Sequence, residues 1–440
     1  MSGYNFELAL RGLKRHPRTT VLVVLTMALG LASAMTTLTL LHVLSADPLP
    51  GISQHLYLGW VDSRQALKAG EADNNQGTMV PSMLKLGDAQ ALVAAHRAQR
   101  QAMMVEILQN VQTPDGTKSQ ASQVGLAASS ELFPMFGIPL RHGRYWTAQE
   151  DAARAPVVVI SAKLSQQLFG TDDSVDHSVD IGGKPFRVIG ISGKWSPQPH
   201  FYGLNIWSYG QQTESLFLPV TALLDAGLGP FMSGDCDRDI SISFGKVDVQ
   251  HCRWLSLWTQ LDTTAQVTDY RQFLLDYAGD QKSAGRFERP AKARLYSVPA
   301  WLARNNVVPD NVRLNVWLAG GFLLLCMVNV AGLLAARFLR RSAEIGVRRA
   351  LGAPRRAIFA QCLWEAGMAG VLGGALALPL TMFGLWVVRR QQLGYTDLAH
   401  LDPLMFAGMF LLALATGLLV GVLPAWRACI VQPGLQIKST

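Results

Sequence analysis

Four apolar runs, each long enough to cross a lipid bilayer, constrain this chain more than any other feature. They are Thr19–Leu44, Leu314–Phe338, Ile358–Val388 and Leu404–Leu423. A hydrocarbon core of about 30 Å takes about 20 residues of α-helix. Inside it each backbone N–H and C=O must be bonded within the segment, which makes an apolar run of this length a helix. The third run has length to spare for tilt or for a kink at Pro379. A cleavable signal peptide fits the first run badly, because its 26 residues exceed an h-region of about 7–15. Val43-Leu44-Ser45-Ala46 is also a poor cleavage site, so the run reads as a retained anchor. The apolar fraction of 49% agrees with a membrane protein.

Charge orients these spans. From Ala46 to Arg313 stand 24 Lys plus Arg against 26 Asp plus Glu, a net of −2, and the rest of the chain carries 15 against 5, a net of +10. Arg11, Lys14, Arg15 and Arg18 precede or enter the first run. Arg337, Arg340, Arg341, Arg348, Arg349, Arg355 and Arg356 cluster where the second run gives way to the third. By the positive-inside rule both clusters are cytoplasmic, which puts both termini inside and the long stretch between the first two spans outside. The large stretch is mildly acidic, so the sequence pI near 9.3 does not point to nucleic acid.

The expected order is a cytoplasmic amphipathic helix (1–18), a first transmembrane helix (19–44), an extracytoplasmic domain (45–313) and a second span (314–338). A cytoplasmic helical link (339–357), a third span (358–388), an outside loop (389–403), a fourth span (404–423) and a cytoplasmic tail (424–440) follow. Tyr4–Arg15 puts Phe6, Leu10 and Leu13 on one helical face with Arg11, Lys14 and Arg15 off it, and stops at Pro17; it reads as a helix on the inner leaflet or as a disordered basic leader. In the outer domain, Asp88–Arg100 and Asp269–Asp280 read as helices. Met103–Leu108, a segment through Val124, Val157–Ile160, Trp254–Leu261 and Ala293–Val298 read as strands. Thr113-Pro-Asp-Gly is a turn, Ser161 an N-cap for a helix through Phe169, and Asp180–Ile191 a hairpin. The fold class is thus membrane α-helical, four transmembrane helices arranged one plus three, with a large α+β extracytoplasmic domain inserted between helices 1 and 2.

Five cysteines are too few for a disulfide framework. Cys326 and Cys362 fall in or beside spans, and Cys429 follows the last one. Cys236 and Cys252 share the outer domain, where they are either a disulfide or two unpaired thiols. His251 beside Cys252 lacks the spaced partners zinc needs, so no metal site is expected, and the acidic cluster Asp235–Asp239 either solvates a loop or holds a cation. Within the spans, Gly417 with Gly421, and Gly367, Gly370 and Gly373, permit close helix packing inside the bundle or against a second protomer; Asn329 is a candidate interhelical bond.

Chemistry is hard to find. A phosphate-cradling loop needs Gly-x4-Gly-Lys-Ser/Thr, and Gly193-Lys194-Trp195 lacks both the upstream glycine and the hydroxyl. No Gly-x-Ser-x-Gly elbow, His-Glu-x-x-His helix or Ser/His/Asp cluster stands out, and no catalytic residue or cofactor is expected. The segment after the second span is different. Glu344-Ile-Gly-Val-Arg-Arg-Ala-Leu-Gly-Ala353, followed by Arg355, Arg356, Gln361 and Glu365, resembles the signature of the MacB-like and FtsX-like permease family of ABC transporters. Glu131-Leu-Phe-Pro-Met-Phe-Gly-Ile-Pro-Leu-Arg-His-Gly-Arg144, Ala155–Ser161, Leu168-Phe-Gly170 and Ile181–Gly190 resemble the family's outer domain in order, and Val422-Leu-Pro-Ala-Trp-Arg-Ala428 its ending. Asp172–His177 departs from the family's usual turn, and 200–245 matches nothing in it.

The resemblance implies a split permease without a fused ATPase domain, in a bacterial inner membrane. ATP and magnesium would be bound by two copies of a separate ABC ATPase. A second permease, identical or homologous, a periplasmic adaptor, an outer-membrane channel and membrane lipid are the other implied partners. Glu344, Gly346, Arg348, Arg349, Ala350, Leu351, Gly352 and Ala353 would form the ATPase-coupling helix, with small residues for close approach and charges for direction. The implied work is mechanotransmission that expels peptide, antibiotic or amphiphile. A lipoprotein-releasing permease, an FtsX-like regulatory scaffold that transports nothing, and a sensor with a ligand-binding outer domain are the rivals.

Overall fold

In the computed structural model, which describes residues 17–66, 83–203, 213–230, 235–237, 248–305, 307–308, 310–390 and 403–430, the chain divides into two units. One is Ser45–Val307; the other joins Met1–Leu44 to Val308–Thr440. The segment expected to form an amphipathic helix over 4–15 lies outside the described residues. α1 spans Pro17–Ser45, so Pro17 is helical where the sequence reading has the chain break; a proline is tolerated in a first turn because its missing N–H has no partner there anyway.

The first unit contains, in order, β1 (Leu56–Val61), α2 (Leu86–Ala94), β2 (Arg100–Gln112), β3 (Ser119–Ala128), α3 (Leu132–Phe136), β4 (Leu140–Gly143), α4 (Ala148–Ala152), β5 (Val157–Ser161), α5 (Ala162–Phe169), β6 (Ser178–Ile181) and β7 (Lys184–Ser192). β8 (Leu216–Pro219), α6 (Val220–Asp225), β9 (Asp235–Cys236), β10 (Cys252–Arg253), β11 (Ser256–Gln260), α7 (Thr264–Ser283), β12 (Ala293–Ser297) and α8 (Val298–Arg304) complete it. Ten strands form one sheet in the order β12-β1-β11-β2-β3-β8-β5-β7-β4, with β6 paired to β2 and β7. The β3–β8 and β5–β7 pairs are parallel.

Both faces of this sheet are covered, which explains why its strands read as unbroken apolar runs. Val105, Ile107, Val158, Ile160, Leu216 and Leu218 pack into one core. Their alternates Met104, Val157, Val159 and Phe217 pack into a second, rich in aromatic rings. Period-2 side chains divide between two buried faces instead of one buried and one wet. Ser161 caps α5 by accepting the Leu164 N–H at 3.2 Å, and the β6–β7 hairpin turns on Gly182-Gly183, both at positive φ (57° and 83°), as a two-residue hairpin turn requires. The helix expected over Asp88–Arg100 is shorter: it ends at Ala94, His96 takes a φ of 47°, and Arg100 already belongs to β2.

The second unit adds α9 (Asp310–Arg340), α10 (Ser342–Ala350), α11 (Arg355–Arg390) and α12 (Pro403–Ile430) to α1. Helices α1, α9, α11 and α12 are long and apolar enough to cross a membrane. α12 runs through Pro424 to Ile430, past the end of its apolar run. A Cβ placed on Gly370 of α11 would stand 2.8 Å from the Gly417 Cα and 2.9 Å from the Ala413 carbonyl oxygen of α12. Gly421 abuts Ala366, and a Cβ on Gly373 would stand 2.9 Å from the Met27 Cβ of α1. The small-residue stripe therefore serves contacts within this chain. Asn329 is exposed on α9 and makes no interhelical bond among the described residues.

Candidate functional site

α10 is short, charged and held from behind. Glu344 sits in its first turn and Arg348 in its last, matching the helix dipole, and the two pair at 2.8 Å across one turn. Such i,i+4 pairs give about 0.3–0.5 kcal/mol. Arg348 also donates to the Gln361 side-chain oxygen of α11 at 3.1 Å. The helix stops by geometry as well as composition. Gly352 takes a φ of 97°, its N–H donates to the Arg349 carbonyl, and the Ala353 N–H reaches back to the Arg348 carbonyl, both at 3.1 Å. This is the Schellman pattern, with Pro354 following to stop the helix.

The anchor behind α10 is Glu365, only 2% exposed on α11. Arg341, the residue that leads into α10, donates to it at 3.0 Å, and Arg337 near the end of α9 stands 3.5 Å from its other oxygen. A buried carboxylate between two guanidiniums is compensated charge, and removing it would strand both cations. Phe338, Ile345, Ile358 and Cys362 line the same small cleft beside Glu344, Arg348 and Gln361. Ion pairs and apolar packing together fasten α10 to α11.

The predicted coupling residues do not share one surface. Gly346 is buried, and Glu344, Arg348 and Arg349 are half-buried, with Glu344 and Arg348 turned toward α11. Ala353 is half-buried; Leu351 and Gly352 are exposed. Ala350 closes α10, its side chain outside the described residues. The exposed face is apolar: Leu351 is 84% exposed, and Val347, one turn earlier, 57%. Sequence reasoning passed over Val347 and gave Glu365 no role, although an ionisable residue in a membrane-length run is itself a signal.

In the other unit, Cys236 and Cys252 are disulfide-bonded across the β9–β10 pair. Asp237 accepts from Lys85 at 2.5 Å and from Arg253 at 2.8 Å. Against the effect of burial, these partners hold its carboxyl below the usual range. That part of the acidic cluster is neutralised by cations of the chain itself; 238–247, including Asp239, lie outside the described residues.

Four membrane-length helices, with a large α/β domain between the first and second and a charged helix between the second and third, define a membrane permease by class. Residues 20–269 match the family model of the MacB-like periplasmic core domain and residues 316–433 that of the FtsX-like permease C-terminal region. The chain belongs to this family, the MacB-like and FtsX-like permeases of ABC transporters. Among relatives, the macrolide export ATP-binding/permease protein MacB of Shewanella sp. (strain W3-18-1) is 23% identical over 97% of this chain and 59% of its own length. That of Salmonella typhimurium is 25% identical over 69% and 42%. An ABC transporter permease of Bacillus subtilis, YvrN, is 23% identical over 69% and 67%. The chain thus spans about half the length of the MacB proteins it matches. Among solved structures, the periplasmic region of MacB from Actinobacillus actinomycetemcomitans matches 60% of this chain and 95% of its own at 15% identity and a TM-score of 0.36. The extracellular domain of YknZ, a Gram-positive ABC-type transporter, matches 54% and 99% at 12% and 0.35.

Proposed function

We propose that this chain is the transmembrane permease subunit of a MacB-like ABC exporter, working as a dimer of permeases with two separate ATPase subunits. Both termini and α10 face the cytoplasm, and Ser45–Val307 lies on the outer side of the inner membrane. The arginine distribution supports that orientation. So does the disulfide of the outer unit, since disulfides form and persist in oxidising compartments.

The observation that carries the reading is the division of α10 into two sides. One side is fastened to α11 by Arg341–Glu365 and Arg348–Gln361; the other presents Val347 and Leu351. A helix rigidly joined to two spans, with an apolar face left for a partner's groove, converts a push on its tip into motion of α9 and α11. The two MacB relatives named above are described as macrolide export proteins, which supports a peptide, antibiotic or other amphiphile as cargo, moved by closing and opening of the outer domains. The test is purification of the full chain from its own membranes with its ATPase. Val347→Asp combined with Leu351→Asp is expected to leave insertion unchanged and to remove the co-purifying ATP hydrolysis. Undiminished ATPase recovery with the double variant would contradict the assignment.

A further inference from the structure

Helix α9 is packed along one side and bare along another. Ala319, Cys326, Val330 and Leu334 are buried, and the Cys326 Cβ stands 2.9 Å from where a Cβ on Gly30 of α1 would lie. A second side carries Leu318, Phe322, Leu325, Asn329, Gly332 and Ala336, every one of them exposed. They follow one another at alternating intervals of four and three residues, the spacing of a seam that meets another helix. At 1.5 Å per residue the seam runs for about 27 Å, most of the depth of a hydrocarbon core. No charged residue stands between Arg313 and Arg337, so the whole seam lies at membrane depth.

Asn329 distinguishes this seam from a surface that only lipid covers. Its amide offers an oxygen acceptor and an NH₂ donor, and its side chain makes no hydrogen bond among the described residues. Hydroxyls in the other spans are satisfied locally: Thr26, Thr36, Thr381 and Thr416 each donate to a carbonyl one turn back in their own helix at 2.8 Å. Lipid tails give an outward-facing amide neither water nor any other group to bond. Gly332 points the same way. A Cβ there would meet nothing within 4 Å, so packing inside this chain does not call for glycine, as it does at Gly370. With Ala336 it makes a small-x3-small pair, which lets the backbone of a further helix come close. Leu324 and Val328, exposed elsewhere on α9, are large and apolar, as a lipid-facing side is.

Symmetry identifies the partner. Two copies of this chain inserted in the same orientation present parallel α9 helices, in which equal positions lie at equal depth. The Asn329 amides of the two copies then face each other, and each donates one bond and accepts one. A lone asparagine at a seam position also fixes the register of a parallel helix pair. Any other partner has to bring a polar group of its own to that depth. We infer that the Asn329 seam of α9 is the contact with a second, identical copy of this chain. The inference rests on the dimeric reading above for the existence of a second permease; it adds that the copies are identical and which face joins them.

The test is made on the full chain in its own membranes, in a background of Cys326→Ala, Cys362→Ala and Cys429→Ala. Leu318→Cys and Leu325→Cys are expected to give a disulfide-linked dimer of this chain on oxidation, and Leu324→Cys, exposed on the same helix but off the seam, is not. Energy transfer between labelled copies in lipid vesicles then measures association. Asn329→Val should weaken it by about 3–30-fold, the range that one interhelical bond in a membrane supplies, and Asn329→Gln, which keeps the amide, should restore most of it. The thermal midpoint of the single chain should not move, because Asn329 packs against nothing within it. A dimer that crosslinks at 324 and not at 325, an adduct from 325 to a different protein alone, or association unaltered by Asn329→Val would overturn the seam and leave a dimer of permeases standing. Parent copies that do not associate at all would overturn both.

Discussion

Arg341 closes on Glu365 through both carboxylate oxygens, at 3.0 and 3.3 Å, joining the start of α10 to the body of α11. Glu365 also faces Arg337, so one buried carboxylate holds the end of α9, the start of α10 and α11 together.

That junction should behave as a unit. Glu365→Gln is expected to cost about 3–5 kcal/mol, because it leaves buried guanidinium charge behind. A double-mutant cycle with Arg341→Gln should show a coupling of roughly 1–3 kcal/mol. Denaturation of the detergent-solubilised chain measures both; additive effects would mean that the pair does not fasten the helix.

Charge reversal at Arg348 and Arg349 is expected to uncouple ATP hydrolysis from transport while the chain still inserts. Arg348→Glu should also lower the thermal midpoint, since it sets a carboxylate against Glu344 and ends the bond to Gln361. Comparing midpoint and export for the two single reversals separates the internal tie from the partner contact.

Gly370 and Gly417 let α11 and α12 approach to backbone contact. Gly417→Leu should cost at least about 1–3 kcal/mol by overpacking, whereas Gly320→Leu, with nothing within 4 Å of its Cβ position, should fold as the parent does. Thermal unfolding in detergent is the readout, and equal loss at the two sites would refute the packing argument.

Neighbouring carboxylates on α4 are driven in opposite directions. Hydrogen bonding and charge from Arg144 hold Glu150 down at about 2, while burial pushes Asp151 up to about 6 despite the Ser130 N–H at 2.7 Å. For Asp151 the folded state binds the proton more tightly than the unfolded one, so its favourable contribution is present below pH 3.8 and is lost as pH rises through about 6. Asp151→Asn keeps an acceptor for Ser130 and removes the penalty. It should raise stability at pH 7–8 by on the order of 1–2 kcal/mol and flatten the slope between pH 4 and 6, as read from thermal midpoints across that range. An unchanged slope would count against the buried charge.

The helical unit was legible in the sequence because a bilayer forces the backbone to satisfy itself locally, so Thr19–Leu44 and Leu314–Phe338 declare themselves by length alone. Short capped elements were legible for the same local reason: Ser161 and Gly170 bound α5, and Gly182-Gly183 turn β6 into β7. Strands such as β1 and β8 were missed because a segment of four to six residues buried on both faces has no periodicity to read. The direction of the charges on α10 was hidden as well. Nothing local says that Arg348 turns toward Gln361 while Leu351 faces out. The meeting of Glu106 on β2 with His200 and Glu214 was hidden for a further reason: nothing in the local sequence of the strand says what packs against it.

The central claim is that the Val347 and Leu351 face of α10 receives an ATPase, and site-specific photocrosslinking in intact cells tests it most directly. With a benzophenone side chain at position 351, irradiation should yield one adduct containing an ATP-binding subunit with a Walker loop. The same probe at Trp317, exposed on the membrane-length helix α9, should yield no such adduct. An adduct at 351 to lipid or to a periplasmic protein, or an ATPase adduct from 317 alone, would contradict the account.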